Sequence, residues 1–250
     1  MIDSTAGVAF DKLAAEYDAQ WSDAAIGRHQ RSAVWLWMDP LFQEGDRVLD
    51  LGCGTGVDAD HLMQRGIEVT GIDASREMVR MARARGVDAQ HMAIEALGSL
   101  KGEFDGAISN FGALNCVSDL ETVALALGHL VRKGRHIVIC MAGRCCAWEI
   151  AYYLLQGNGA KAFRRWNPAG CEASLGVHVE YPSVHRLIRL FRREFRLFRW
   201  CGIGLCVPPS YVRAMSETTI ARLADVDRSL AHRPIFRFFA DHWLLLFERI

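Results

Sequence analysis

The chain has 250 residues, with 29 basic and 29 acidic side chains, so it carries no net charge. That length buries one α/β core, with or without an inserted cap, and leaves little for a second full domain. The charge balance and the lack of an appended RNA-binding module speak against a nucleic-acid partner. No segment reaches the roughly 18 consecutive apolar residues that span a bilayer, and "MIDSTAGVAFDKLAAEYD" lacks the basic-then-apolar order of a secretory signal, so a cytoplasmic location is the expectation.

Phe10, Leu13, Ala14, Tyr17 and Trp21 recur at helical spacing and predict one amphipathic opening helix. "DRVLDL" (46–51) follows turn residues as a short apolar strand, and Asp58 to Arg65 reads as a helix stopped by Gly66. "IEVTGID" (67–73) is the next strand, and residues 75–85 form a helix capped by Ser75 and stopped by Gly86. The alternation continues through strands at 87–92, 104–109 and 135–141, with a helix at 118–131 whose Ser118 and Glu121 have capping-box spacing. Short apolar strands alternating with helices predict a mostly parallel sheet covered on both faces.

After Met141 the rhythm changes. Residues 145–156 and 160–166 read as helical, 176–182 as extended and 183–194 as an amphipathic helix with an arginine face. Strands at 195–207 and 240–250 flank a helix at about 217–231. Residues 1–143 hold 13 basic and 20 acidic side chains, residues 144–201 hold 10 and 4, and residues 202–250 hold 6 and 5. The middle segment is a basic island that faces either solvent or an anionic acceptor. The eight cysteines form no C-x-x-C pair and several sit in apolar runs, so they read as buried free thiols rather than disulfides or a metal site.

"VLDLGCGTGVDADHL" (48–62) places Asp50 before Gly52, Gly54 and Gly56 at the first strand–helix turn. A dinucleotide loop has G-x-G-x-x-G with pyrophosphate on the helix N-terminus; here Val57 fills the third glycine's position, and an acid beside the loop repels phosphate. Asp50 instead suits an ammonium-bearing ligand such as S-adenosyl-L-methionine, and Asp73, ending the second strand, suits ribose hydroxyls.

With "VTGIDASREMVRMAR" and "FDGAISNFGALNCVSDL", this stretch resembles the motifs of class I S-adenosylmethionine-dependent methyltransferases over about residues 8–141. "FDKLAAEYDAQW" is similar to the lid helix of their small-molecule members, the type 11 and ubiquinone-methyltransferase-like subgroup. The resemblance implies a Rossmann-like seven-stranded sheet with an antiparallel last strand. The chain then reads as one domain over 1–250, with lid helices (1–45), a cofactor-binding core (46–143), a candidate acceptor-side cap (144–190) where the rhythm changes after Met141, and the final strands (191–250). The resemblance implies that Gly52, Gly54 and Gly56 line the methionine end of the cofactor with Asp50 near the amine, that Asp73 holds the ribose, and that Ala74 and Met78 flank the adenine. Glu95, beside Ile94, stands near the place of the acid that meets the adenine amine, while Asn110 and Phe111 lie near the reactive methyl and Tyr17 closes over it.

Methyl transfer needs a general base only when the acceptor is protonated. His178 and Glu180 alternate on an extended segment and, with Asn110, are the catalytic candidates. Tyr152, Tyr153, Trp166 and Tyr181 are candidates for an acceptor wall, and Arg164 and Arg165 for pairing with an anionic group on the substrate. The expectation is methylation of oxygen or nitrogen on a small, anionic metabolite. The alternatives are C-methylation of a quinone or lipid-like acceptor and a non-catalytic S-adenosylmethionine-binding module. A thiol-bound acceptor at Cys145–Cys146 is disfavoured, and the oligomeric state is open.

Overall fold

The computed structural model describes residues 5–173, 176–212 and 215–250, so the first four residues of the expected lid and residues 174–175 of the expected cap lie outside it. The chain enters through α1 (Thr5–Asp11), α2 (Ala14–Tyr17), a π-helical turn at Asp18–Ser22 and α3 (Ala25–Met38). The single opening helix expected from periodicity is therefore broken, and its breaks fall at two tertiary anchors. Asp11 accepts hydrogen bonds from Ser75 Oγ (2.6 Å) and Glu77 N (3.0 Å), while Asp18 accepts from Thr55 Oγ1 (2.6 Å) and pairs with Arg85. Local periodicity yields to contacts that tie residues 11 and 18 to the core.

The body alternates as read: β1 (Arg47–Leu51), α4 (Val57–Met63), β2 (Glu68–Asp73), α5 (Arg76–Ala84), β3 (Asp88–His91), β4 (Phe104–Ser109), α6 (Leu120–Leu130) and β5 (Val131–Ala142). Ser75 caps α5 by accepting from Met78 N. At α6 the expected Ser118 cap is replaced by Asp119, which accepts from Thr122 N at 3.0 Å, and β5 begins directly at Val131. Then come α7 (Ala147–Leu155), α8 (Gly159–Ala162), a 3₁₀ turn at Arg164–Trp166, the two-residue strands β6 (Cys171–Glu172) and β7 (His178–Val179), and α9 (Val184–Phe191). β8 (Phe195–Ile203), α10 (Glu217–Leu230) and β9 (His242–Arg249) complete the order.

The main sheet has the order β3-β2-β1-β4-β5-β9-β8, and β9 alone runs antiparallel to its neighbours. This is the seven-stranded Rossmann-like fold expected from the sequence. Alternate residues of each strand feed two cores: Leu49, Leu51 and Ile72 pack under α6 and α9, while Val48, Val69 and Ile108 pack under α3, α4 and α5. The strand order reverses between β1 and β4, where open α/β sheets leave a crevice at their carboxyl ends. Asp50, Asp73 and Ser109 end up along that edge. All eight cysteines are free thiols, and burial pushes Cys201 up to about 12. Among the described residues no three His, Cys, Asp or Glu side chains are grouped to hold a metal, and no helix is long and apolar enough to cross a membrane.

Candidate active site

The turn after β1 is shaped by its backbone. Gly52 and Cys53 both donate to Ile72 O (2.8 and 3.0 Å), folding the loop over the end of β2. Gly52 has φ +73°, and a Cβ there would lie 2.3 Å from that of Ala113; Gly54 has φ +53° and open space where a Cβ would be. Only glycine suits both positions: one has no room, and the other needs a left-handed backbone facing an open cleft. Gly56, also left-handed, is the cap residue of α4 and packs on α5.

Asp73 clamps the loop. Its Oδ2 accepts from Gly54 N (2.9 Å) and its Oδ1 from Ser75 N (2.8 Å), while burial still holds the carboxyl above its ordinary range against those two bonds. Its carboxylate also lines two cavities, of about 260 and 100 Å³, that share Phe10, Gly52, Asp73, Ala113 and Cys116. They are two halves of one cleft. Ala74, Ile94, Glu95 and His178 line the larger half; Tyr17, Gly54, Met78, Asn110 and Phe111 line the smaller.

Two buried polar groups at this edge lack partners within the protein. Asp50 Oδ2 accepts no hydrogen bond, and neither amide atom of Asn110 has a partner. Burial pushes the Asp50 carboxyl well above the carboxylate range, and the charges of Asp58 and Asp73 push the same way against Arg31. Phe111 has φ 53°, unusual for an aromatic residue and costing of order 1–3 kcal/mol. Its ring is held by Trp21 (6.2 Å between centroids), His242 (5.5 Å) and the Arg31 guanidinium (4.9 Å). Arg31 pairs with buried Asp58, which also accepts from Trp35 Nε1 at 2.7 Å.

Several expected site residues are placed elsewhere. His178 faces the larger half, whereas Glu180 pairs with Arg186 (3.3 Å), and its backbone is clasped by Asn115, which donates to Glu180 O at 2.7 Å. The expected His178–Glu180 pair is thus not assembled, because β7 ends at Val179 and the alternation stops there. Met78 parts from Ala74: it lies one helical turn into α5, beside Tyr17 in the smaller half.

Arg164 and Arg165 face carboxylates of the protein rather than an acceptor. Arg164 Nε meets Glu149 Oε1 at 2.8 Å, and Arg165 Nη2 lies 2.8 Å from Glu149 Oε2 and 2.7 Å from Asp241 Oδ1. Burial works against both acids, yet these arginines, with His242 beside Asp241, hold both carboxyls below their ordinary values. Tyr152 and Tyr153 pack on each other and on Tyr211 (5.4 and 5.9 Å), Trp166 is half-exposed against Phe163, and Tyr181 lies under Arg165. Phe10, Arg31, Cys116, Asp241 and His242 were missed from the sequence. The acid–histidine pair at the start of the last apolar strand was the one legible signal among them.

A cleft at the switch point with glycines at its wall, a clamped carboxylate in the middle and unpartnered polar atoms at one end fits an elongated nucleoside carrying an amine. Residues 48–134 match the family model described as a methyltransferase domain. A S-adenosylmethionine-dependent methyltransferase from Thermotoga maritima shares 17% identity with a TM-score of 0.63, covering 97% of this chain and 98% of that one. One from Mesorhizobium loti shares 18% with a TM-score of 0.58, covering 87% and 98%. The geranyl diphosphate C-methyltransferase of Streptomyces coelicolor, solved with Mg2+, geranyl diphosphate and S-adenosyl-L-homocysteine, shares 12% with a TM-score of 0.58, covering 88% and 77%. No curated protein matches the sequence. At these identities the solved structures speak for the fold, and the matched domain speaks for the class. Residues 48–134 thus match a methyltransferase domain, and the chain has the fold of solved S-adenosylmethionine-dependent methyltransferases.

Proposed function

We propose that the chain is a class I methyltransferase that takes S-adenosyl-L-methionine as cofactor and delivers its methyl group to an oxygen or nitrogen of a small acceptor seated beside Asn110 and Phe111, beneath residues 144–190. The observation that carries this reading is Asn110, buried at the carboxyl end of β4 with both amide atoms unpartnered. A buried amide without partners costs free energy unless a ligand or water completes it, and one donor and one acceptor suit an amine or hydroxyl.

The bound cofactor supplies a methyl carbon activated by positive sulfur. On this reading Asp73 takes the ribose, the Gly52–Gly54 wall the methionine end, and Ala74, Ile94 and Glu95 the adenine, while Asp50, behind the wall, acts on the amine through backbone or water. Tyr17, whose phenol burial keeps protonated, donates from the lid side. Positioning accounts for much of such a reaction, up to roughly 7–11 kcal/mol in well-oriented systems. A proton acceptor for a hydroxyl stands against Phe111: burial lowers the His242 imidazole toward its neutral form, opposed by Asp241 3.4 Å away. The anionic character expected of the acceptor loses its basis, because Arg164 and Arg165 are held by Glu149 and Asp241.

The test is methyl transfer from labelled cofactor into fractionated polar metabolites, with Asn110→Ala as the control. Labelled product from the parent protein and little from the variant is expected; equal labelling by both would reject the role of Asn110. C-methylation of a lipid-like acceptor is the second reading, favoured by the exposed apolar residues Ile235–Phe239 near the same sheet edge, and it predicts label in lipid extracts instead. A binding module without turnover predicts cofactor binding and no label in either fraction.

A further inference from the structure

The approach to β9 carries a surface that methyl transfer to a small molecule does not require. Residues 232–239 read HRPIFRFF, with two arginines, a histidine and no acid. Within them Ile235 is 72% exposed, and Phe236, Phe238 and Phe239 are each more than 40% exposed. Four large apolar side chains in five residues are left in water, although a soluble surface ordinarily keeps such groups apart.

The conformation that exposes them is fixed by its neighbours. Arg237 lies over the Trp200 ring at 3.9 Å and donates to Trp200 O at 3.3 Å, Phe238 packs edge-on against Trp200 at 4.7 Å, and Arg237 N donates to Arg233 O. Asp241 N donates to Gly204 O, closing the loop onto the end of β8. The loop is a held platform.

The patch also extends sideways. A groove beside the β8 edge is lined by Leu36 and Trp37 of α3 on one side and His232 on the other. Leu36 is itself 55% exposed, and the Arg199 guanidinium lies over Trp37 at 4.7 Å. Among the described residues neither Arg199 nor Arg233 has a carboxylate partner, whereas Arg196, on the same strand as Arg199, is neutralised by Glu248. Exposed aromatic and aliphatic side chains interleaved with unneutralised arginines have the chemistry of an interfacial anchor. The rings enter the acyl boundary while the guanidinium groups meet anionic headgroups. A protein partner of ordinary composition offers no comparable excess of negative charge over an apolar layer.

We propose that this corner of the molecule, the 232–239 loop with Leu36, Trp37 and Arg199, docks on an anionic lipid bilayer. The attachment is peripheral, and it sets the carboxyl edge of the sheet toward the lipid, since Asp241 and His242 follow the loop directly and His242 touches Phe111. It is independent of the cofactor reading and of which acceptor is used.

The experiment is co-sedimentation of the full chain with vesicles of phosphatidylglycerol and phosphatidylcholine, and with phosphatidylcholine alone. Sedimentation with the anionic vesicles, at least tenfold weaker on the neutral ones and weakened by added salt, is expected. Phe236→Ser with Phe239→Ser and, separately, Arg233→Glu are each expected to weaken it at least tenfold. Unchanged melting temperature and S-adenosylhomocysteine binding in those variants show that the fold is intact. No binding to anionic vesicles overturns the proposal, as does binding that the variants leave unchanged. A soluble dimer that the double variant converts to monomer, without vesicle binding, overturns it in favour of a second copy as occupant.

Discussion

Asp73 holds the glycine loop and faces the cleft with the same carboxylate, so its removal acts twice. Asp73→Ala is expected to weaken S-adenosylhomocysteine binding by about 1–3 kcal/mol through lost charged hydrogen bonds, before any loosening of Gly54 and Ser75 is counted. Calorimetric titration checks this, and unchanged affinity removes Asp73 from the site. Asp50 is the reverse case, a carboxyl that the free fold penalises. Its folded pKa lies above the unfolded value, so its contribution to stability is present at acid pH and lost as pH rises from the ordinary carboxylate range up through the raised folded value. Asp50→Asn is therefore expected to melt higher than the parent at neutral pH while binding cofactor more weakly. A ligand ammonium beside Asp50 would favour its charged carboxylate and lower its pKa, so wherever the free carboxyl still holds its proton, binding by the parent releases it to the buffer and binding by the variant does not. Titrations in buffers of different ionisation enthalpy read this directly. Both acids stood out in the sequence because each closes an apolar run at a strand–helix turn, and Asn110, just past β4, was legible through the family resemblance. Arg31 did not, because its importance lies in the Phe111 ring, which it contacts from a distant part of the chain.

At the scale of elements, α1 and α2 form a strap whose anchors are side chains rather than an apolar stripe. Phe10 and Tyr17 line the cleft, and Asp11 and Asp18 fasten the strap to α5 and to the turn before α4. Asp11→Ala removes two acceptor contacts and is expected to speed cofactor release and proteolytic cutting near residue 13 more than it lowers global stability, as local opening does. Stopped-flow release and limited proteolysis report the two effects; unchanged rates in both would show that the strap does not gate the cleft. Periodicity found these residues but joined them into one helix, since nothing local in the sequence announces a bond from Asp11 to Ser75. The segment after β5 shows the same limit. Its helices were legible, yet the purpose of its arginines was not: Glu149 lies on α7 and Asp241 before β9, far apart in sequence and joined through Arg165. Glu149→Ala leaves Arg165 buried with a single carboxylate and takes partners from Arg164 and Tyr211. The expected cost is about 3–5 kcal/mol, read as a melting-temperature fall of roughly 2–4 °C per kcal/mol.

For the whole molecule, the balance of buried acids sets the response to pH. Glu149, Asp241 and Asp105 have folded pKa values below their ordinary ones, so the unfolded chain binds more protons and their stabilisation, complete above the ordinary range, is lost as pH falls through the folded values. Acid titration followed by near-ultraviolet circular dichroism is expected to show packing lost on the acid side. Glu149→Ala should flatten that dependence, and the same slope in parent and variant would remove Glu149 as a source. The sheet itself was largely legible, because buried parallel strands write continuous apolar runs between helices. The register of β8 was less so: it is the edge strand, shifts register between Leu197 and Arg199, and carries arginines where an interior strand would be apolar.

The place of β9 also dictates an order of assembly. β8 is made before β9, yet its partner in the sheet is β9, and β9 reaches the sheet by pairing His136 of β5 with Glu248. While the chain is being synthesised, β8 has no edge to join and the outer edge of β5 stays bare until β9 has emerged. Such late, long-range pairing is slow and leaves strand edges open to other chains. In pulsed amide-exchange refolding, β8 should gain protection no earlier than β9, and both after β1, β2 and β4. A ribosome-bound chain lacking β9 would then expose one unpaired strand and one bare sheet edge at once, making this side of the molecule the one most dependent on chaperones.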